Sequence, residues 1–157
     1  SLPDSPAQIQ ADILRGIERF YLSECRLRPG AFGLVRLLHS RGIGISAATA
    51  GDKRLACAAL DRLGIFGCFE DVFTCEKYGS KHEPGIFLAA ARAAGGDPAD
   101  TAVFEDSLHC ILTAKNAGFL TAAVADPGEP EQSALKAAAD YYRLSMGDYF
   151  RIFQSAS

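Results

Sequence analysis

The chain has 157 residues, of which 48% are hydrophobic and 22% charged, a composition typical of one globular domain with its own apolar core. Its formal net charge of −3 argues against a nucleic-acid partner, because nucleic acids are bound through basic surfaces. Arg, Asp or Gly interrupts the longest apolar runs before they reach the length of a membrane-spanning helix, which predicts no membrane association.

Cysteine usage indicates a reducing compartment. The cysteines are odd in number, and none has the spacing of a metal-binding pair. Each lies in or beside an apolar stretch, so we expect reduced, buried thiols and a cytoplasmic protein. The five are Cys25, Cys57, Cys68, Cys75 and Cys110.

The first two predicted elements are helices. Residues 5–24 carry apolar side chains at helical spacing, and Ser5 followed by Pro6 is typical of a helix start. Residues 28–30, Arg-Pro-Gly, then break the chain. A second helix is predicted over residues 31–41. Its apolar side is expected to hold Phe32, Leu34, Val35 and Leu38.

Short strands and helices alternate over the rest of the chain. The predicted strands lie at residues 43–48, 71–74, 101–104, 120–125 and 141–142. Helices are predicted at residues 53–63, 83–94, 108–117, 131–139 and 147–153, with a polar loop over 76–82. Asp52 and Ser107 are expected to cap two of these helices. The alternation favours an α/β fold of the Rossmann-like type, a mostly parallel sheet with helices on both faces.

Polar side chains follow three of the predicted strands. Thr49 follows the first strand, Lys81 lies in the loop after the second, and Glu105 and Asp106 follow the third. The carboxyl ends of parallel strands share one edge of a sheet, where ligands bind in open α/β folds. Together the four side chains suit a phosphoryl group with a divalent cation. The carboxylates would hold Mg²⁺, while the ammonium and the hydroxyl would contact phosphoryl oxygens.

Each of these residues also has an ordinary structural explanation. Thr49 fits a turn, and Lys81 fits a solvated surface lysine. Asp106 would help Ser107 to cap the next helix, with Glu105 left in solvent. The order of the whole set along the chain is what favours a phosphoryl site over these explanations.

The same residues resemble the motifs of a known enzyme family. Ile45-Ser46-Ala47-Ala48-Thr49, with the Arg-Pro-Gly lead-in before it, resembles the second motif of the haloacid dehalogenase-like (HAD) superfamily. Residues 81–87, Lys-His-Glu-Pro-Gly-Ile-Phe, resemble its third motif. Residues 103–107, Val-Phe-Glu-Asp-Ser, resemble its fourth. Within the superfamily, the pattern is similar to the beta-phosphoglucomutase-like phosphatase branch over residues 27–126.

The resemblance implies a Mg²⁺-dependent phosphatase that acts on small phosphorylated metabolites. It implies that Thr49 and Ala50 bind the phosphoryl group. It implies that Lys81 stabilises both the nucleophile and the transferring phosphoryl group, and that Asp106 with Glu105 binds Mg²⁺. It implies further that the reaction passes through an aspartyl-phosphate.

Two features depart from the family pattern. His82 stands where the third motif usually has proline, and we expect it in a solvent-exposed loop. The Asp-x-Asp-x-Thr motif, whose first aspartate attacks phosphorus, occurs nowhere in the chain. Asp4 is the only acid before the first helix, and no predicted strand precedes it. Covalent transfer needs a positioned nucleophile, so we expect the chain alone to be inactive.

The resemblance implies that the absent motif lies on a strand between those that carry Thr49 and Asp106. We therefore predict that residues 1–26 are a helical segment, the end of a cap or a linker, and that residues 27–157 are the HAD-like α/β core of a longer enzyme. Two alternatives stay open. One is a phosphomutase, and the other is a non-catalytic binding or assembly module that self-associates through its exposed sheet edge.

Overall fold

The computed structural model describes residues 5–156, and Asp4 lies outside them. The helices are α1 (Pro6–Arg19), α2 (Ala31–Ser40), α3 (Lys53–Arg62), α4 (Cys75–Tyr78), α5 (Gly85–Ala93), α6 (Leu108–Asn116), α7 (Gln132–Ala138) and α8 (Met146–Ser155). The strands are β1 (Ala47–Thr49), β2 (Val72–Thr74), β3 (Ala102–Glu105), β4 (Leu120–Val124) and β5 (Tyr141–Arg143). A π-helical turn over Phe20–Glu24 extends α1.

Two of the three predicted helix caps are confirmed. The Ser5 side chain accepts a hydrogen bond from the Gln8 amide at 3.2 Å, and the Asp52 carboxylate accepts one from the Leu55 amide at 2.9 Å. The prediction for Ser107 is wrong, because its hydroxyl makes no capping bond. The hydroxyl lies 3.1 Å from Nδ1 of His109. Separately, Glu129, from the loop after β4, accepts the Leu108 amide at 2.9 Å at the start of α6.

The strands confirm the predicted α/β fold, because every strand pair is parallel. They form two separate sheets in the described residues, one of order β1-β2 and one of order β3-β4-β5. Helices cover both faces of β4, whose side chains alternate between the two layers. Ala122 and Val124 pack with Leu34 of α2 and Tyr149 of α8. Ala123, on the other face, packs with residues of α6 and α7, namely Ile111 and Leu135.

The free edges of β1 and β3 face a common space, which we call the central gap. Ala48 of β1 and Phe104 of β3 line the same cleft, of about 240 Å³. The two strands beside the central gap are only half-buried or exposed, whereas β2 and most of β4 are buried. The hydroxyl of Ser46, next to β1, is buried without a hydrogen-bond partner in the described residues. The central gap lies where the sequence analysis places an absent strand.

Several local predictions need correction. Thr49 and Glu105 are the last residues of β1 and β3, and do not follow these strands, because parallel pairing with β2 and β4 extends both. The predicted polar loop over residues 76–82 contains most of the short helix α4. On α2 the buried side chain is Leu34, while Phe32 is half exposed. All five thiols are free, but only two, Cys68 and Cys110, are buried.

Helix α1 packs loosely, since none of its residues is buried. Its exposed apolar side chains are Ile9, Ile13, Leu14 and Ile17.

Between residues 5 and 156, no helix combines the length and the apolar character that crossing a membrane requires.

A polar cluster around the buried Thr121 joins β4 to the start of β5. The Asp140 carboxylate accepts hydrogen bonds from the amide and the hydroxyl of Thr121, at 2.9 and 2.8 Å, and from Lys115 Nζ at 2.9 Å. The bond from Lys115 and then those from Thr121 lower the pKa of Asp140 to about 2. Because Thr121 is fully buried, it has no water to replace this acceptor.

Replacing Asp140 with alanine is therefore expected to lower the free energy of unfolding by about 2 kcal/mol at neutral pH. Urea titration measures this loss, and the exposed Asp61 of α3, changed to alanine, is the matched control. Because the folded pKa lies below 3.8, the contribution of Asp140 is present above pH 3.8 and is lost as the pH falls from 3.8 to about 2. Equal stability losses in the two variants would contradict the assignment.

Candidate active site

A largely buried ion pair lies at the edge of the central gap. Lys81 Nζ donates a hydrogen bond to the Glu105 carboxylate, and the two side chains are only 17% and 11% exposed. Burial alone lowers the pKa of Lys81, but the charge and the hydrogen bond of Glu105 outweigh it and leave the pKa raised. Lys81 is therefore a fixed positive charge at neutral pH, next to the end of β3.

A second, more exposed charge cluster lies beside it. Nη2 of Arg28 donates to the carboxylates of both Asp106 and Asp126, and Nη1 donates to the Ala125 carbonyl at 3.2 Å. The Gly128 amide and then Arg28 lower the pKa of Asp126. Arg28 thus binds the loops that follow β3 and β4 through one guanidinium group.

The end of β1 forms a tight turn. The Thr49 hydroxyl accepts a hydrogen bond from the Gly51 amide at 3.0 Å, and Ala50 is exposed in the bend between them. A Cβ atom on Gly51 would lie 2.8 Å from Tyr21 Oη and 3.4 Å from Thr49 Oγ1, so the turn is open to these groups only because residue 51 is glycine. Tyr21, on the π-helical turn, therefore adds a second hydroxyl beside Thr49.

The cleft at the central gap brings together most of the predicted site. It is lined by Lys81, Glu105 and Asp106, together with Arg28 and Ala48. Thr49 and Ala50 are not among its lining residues, although Thr49 directly follows Ala48 in the chain. The predicted residues thus divide into a charged group inside the cleft and a hydroxyl turn at its end.

Two histidines stack beside the Lys81 loop. The rings of His82 and His109 lie 4.3 Å apart between centroids and 21° from parallel. The predicted exposure of His82 is confirmed, and His109 is exposed on α6. No local pattern relates a loop residue to a residue on a distant helix, so the stack could not be predicted. It lies at the position where the family motif usually has proline.

The carboxylates of the site fit a magnesium ion in chemical terms. Mg²⁺ prefers oxygen ligands and usually needs only one or two carboxylates, with waters and substrate oxygens completing its shell. Asp106 and Asp126 meet at a single cationic nitrogen of Arg28, so they already converge on one positive point. Glu105 is occupied by Lys81. Within residues 5–156, no three His, Cys, Asp or Glu side chains gather as a metal site.

Sequence reasoning missed two residues of this site, Arg28 and Tyr21. The sequence pattern places Arg28 in a chain break and in the Arg-Pro-Gly lead-in that resembles the second motif, and neither feature predicts its contacts with Asp106 and Asp126. Tyr21 fits the apolar stripe of the first helix. Tyr21 belongs to the π-helical turn after α1, and its hydroxyl lies 2.8 Å from where a Cβ atom of Gly51 would stand.

The comparisons with known proteins agree on a family. A family model described as a haloacid dehalogenase-like hydrolase matches residues 4–118. The bifunctional riboflavin kinase/FMN phosphatase of Arabidopsis thaliana is 32% identical over 114 residues, which are 71% of this chain and 30% of that protein. The chain spans between 30% and 56% of the lengths of five curated relatives that it matches.

Solved structures show the same fold. A mutant of CbbY from Rhodobacter sphaeroides, in complex with xylulose-(1,5)bisphosphate, is similar with a TM-score of 0.75 and 26% identity over 93% of this chain and 68% of that one. Beta-phosphoglucomutase from Clostridium difficile has a TM-score of 0.72 and 21% identity, over 96% and 65%. The family model covers most of the chain and the fold agrees with it, so the chain belongs to the haloacid dehalogenase-like hydrolase family.

Proposed function

We propose that the chain supplies the phosphoryl-binding and metal-binding part of a Mg²⁺-dependent phosphatase for small phosphorylated metabolites. The observation that carries the proposal is the buried Lys81–Glu105 pair at the central gap, with Asp106 in the same cleft. A lysine held in its charged form beside carboxylates is suited to bind a phosphoryl group next to a divalent cation. The FMN phosphatase and the CbbY complex, both with phosphorylated small molecules in their names, support this substrate class.

Each side chain has a separate task in this proposal. Lys81 neutralises phosphoryl oxygens from inside the cleft, and Glu105 holds its ammonium in place. Thr49 donates its hydroxyl proton to a further phosphoryl oxygen at the end of β1, and the backbone amide of Ala50 adds a second donor at the same turn. Asp106 with Glu105 would hold Mg²⁺. When bound, the ion would neutralise charge on the phosphoryl oxygens.

In this proposal, the nucleophile lies in the central gap. Glu105 and Asp106 are each paired with a cation, which leaves neither as a free attacking carboxylate. The free edges of β1 and β3 offer backbone groups on both sides of the gap to one added parallel strand. We place the attacking aspartate on such a strand, where it would form the aspartyl-phosphate. The described chain by itself would hydrolyse little.

The domain division and the compartment are also part of the proposal. A separate helical segment over residues 1–26, ahead of an α/β core over 27–157, is supported by the absence of buried residues on α1. A cytoplasmic location is supported by the five free thiols.

A phosphomutase that uses the same site is an alternative reaction for this proposal. The fold shared with the Clostridium difficile enzyme is compatible with it.

A second candidate function is a non-catalytic module that self-associates. The free edges of β1 and β3 and the exposed isoleucines of α1 favour it, because both kinds of surface pair readily with another chain. Light scattering at rising protein concentration separates this candidate, which predicts a growing mass, from a monomer.

Hydrolysis of an aryl phosphate tests the main proposal. The chain alone is expected to show no turnover above background, with Mg²⁺ or with a chelator. A synthetic peptide that carries an Asp-x-Asp-x-Thr motif on a β-strand is expected to restore Mg²⁺-dependent turnover, and Asp106→Asn is expected to abolish it again. Turnover by the chain without the peptide would place the nucleophile within this chain and contradict the proposal.

A further inference from the structure

The proposed reaction assigns no role to the positively charged side chain of Arg28. Its Nη2 contacts the carboxylates of Asp106 and Asp126, and its Nη1 bonds the Ala125 carbonyl at 3.2 Å. The guanidinium therefore lies where the loops after β3 and β4 meet, and it occupies an oxygen of the carboxylate that would bind the metal.

The backbone around Arg28 is held firmly. Gly30 has a φ of +85°, and a Cβ atom there would lie 2.2 Å from the Cα and N atoms of Gly147. The Gly147 amide also donates to the Pro29 carbonyl at 3.1 Å. This close packing of two glycines fixes where the arginine side chain starts. The side chain itself is 41% exposed, so its charged end has room to turn into solvent.

The charges of the cleft are nearly balanced without a metal. Lys81 is matched with Glu105, while Arg28 is shared by Asp106 and Asp126. A divalent cation at Asp106 must therefore either displace the guanidinium or accept its repulsion at close range.

We infer that Arg28 is a resident counter-ion that competes with Mg²⁺ for Asp106 and keeps the metal affinity of the site low. The inference rests on the proposed role of Asp106 as a metal ligand. In the absence of metal, Arg28 holds the two loops in place for the carboxylates. When metal is present, Arg28 turns away and leaves Asp106 to the ion.

Calorimetric titration of the chain with MgCl₂ tests the inference without any assay of activity. Arg28→Gln keeps an amide donor near the Ala125 carbonyl but removes the charge, and it is expected to tighten Mg²⁺ binding about tenfold. Arg28→Lys keeps the charge and is expected to bind Mg²⁺ as the unchanged chain does. Arg54→Gln, which breaks a 3.1 Å ion pair with Glu18 away from the cleft, is the matched control and is expected to leave the affinity unchanged.

The outcomes separate this inference from the proposed function. Equal or weaker Mg²⁺ binding by Arg28→Gln, together with loss of binding in Asp106→Asn, would overturn the role of Arg28 while the metal site stands. Mg²⁺ binding that Asp106→Asn leaves intact, or no binding by any form of the chain, would overturn the metal site and the inference with it. Tighter binding by Arg28→Gln that Asp106→Asn removes supports both.

Discussion

Replacing Lys81 with methionine is expected to lower the free energy of unfolding by about 3 kcal/mol, measured by urea titration at neutral pH. Glu105 is only 11% exposed, so the variant leaves its carboxylate in a largely buried place without a counter-ion. The loss would reflect the unpaired charge more than the attraction in the pair, because desolvation cancels much of that attraction. Phosphate binding to the chain is expected to be lost in the same variant, because the variant lacks the ammonium group that would contact the phosphate oxygens.

A matched control is the exposed pair of Lys53 and Asp71. Its atoms are 2.7 Å apart, but its side chains are 52% and 48% exposed. Lys53→Met is therefore expected to cost less than about 1 kcal/mol. Adding Glu105→Gln to Lys81→Met is expected to recover most of the lost stability, because the second change removes the stranded charge. Equal losses from Lys81→Met and Lys53→Met would show that burial of the pair does not matter.

The pH dependence of the free energy of unfolding tests the role of Lys81 in a second way. The pKa of Lys81 is raised above 10.5 in the folded chain, since Glu105 outweighs the effect of burial. The stabilisation from its charge is therefore complete below pH 10.5 and is lost as the pH rises through the raised pKa. The unchanged chain is expected to lose stability over that alkaline range, and Lys81→Met is expected to lack this component.

Gly30→Ala is expected to lower the free energy of unfolding by roughly 3 kcal/mol or more, again measured by urea titration. The added Cβ would lie 2.2 Å from the Gly147 backbone, which cannot move aside as a flexible side chain does. A φ of +85° adds the strain that a side chain meets in the left-handed region. Relief of the clash would separate the start of α2 from α8 and shift Arg28 away from Asp106.

Gly42→Ala separates the two causes of this loss. Gly42 also has a positive φ, of +71°, but its Cβ would meet no atom within 4 Å. Its substitution is expected to cost about 1 kcal/mol from the backbone alone. If Gly30→Ala and Gly42→Ala were equally mild, the contact between Gly30 and Gly147 would be looser than the structure has it.

Local patterns were sufficient to predict the fold class and part of the site. Alternating strands and helices favour parallel pairing, and residues at the ends of β1 and β3 line one cleft. Lys81 and Glu105 could be placed there from their order alone. Their direct pairing depends on which side chains are buried together, and no spacing along the chain carries that information.

The residues that escaped prediction are held by contacts between distant segments. Arg28 contacts Asp106 from a backbone that is held by two packed glycines, and the chain break and motif lead-in around it do not predict this contact. The position of Ser107 predicts a helix cap, but its hydroxyl lies 3.1 Å from Nδ1 of His109 and accepts no amide of the first helical turn. Glu129, from another loop, accepts the Leu108 amide, which no carbonyl within the helix can reach.

The position of β4 has a consequence for how the molecule opens. In the described residues it is the one strand with a hydrogen-bonded neighbour on each side, and helices cover both of its faces. Its amide protons are therefore expected to exchange with solvent only when the whole domain unfolds. The strands β1 and β3 each lack a partner on one side, so they belong to units that open more easily. We expect the chain to be most rigid at β4 and to open most easily at the cleft, so that binding of a strand or a ligand would change its dynamics there most.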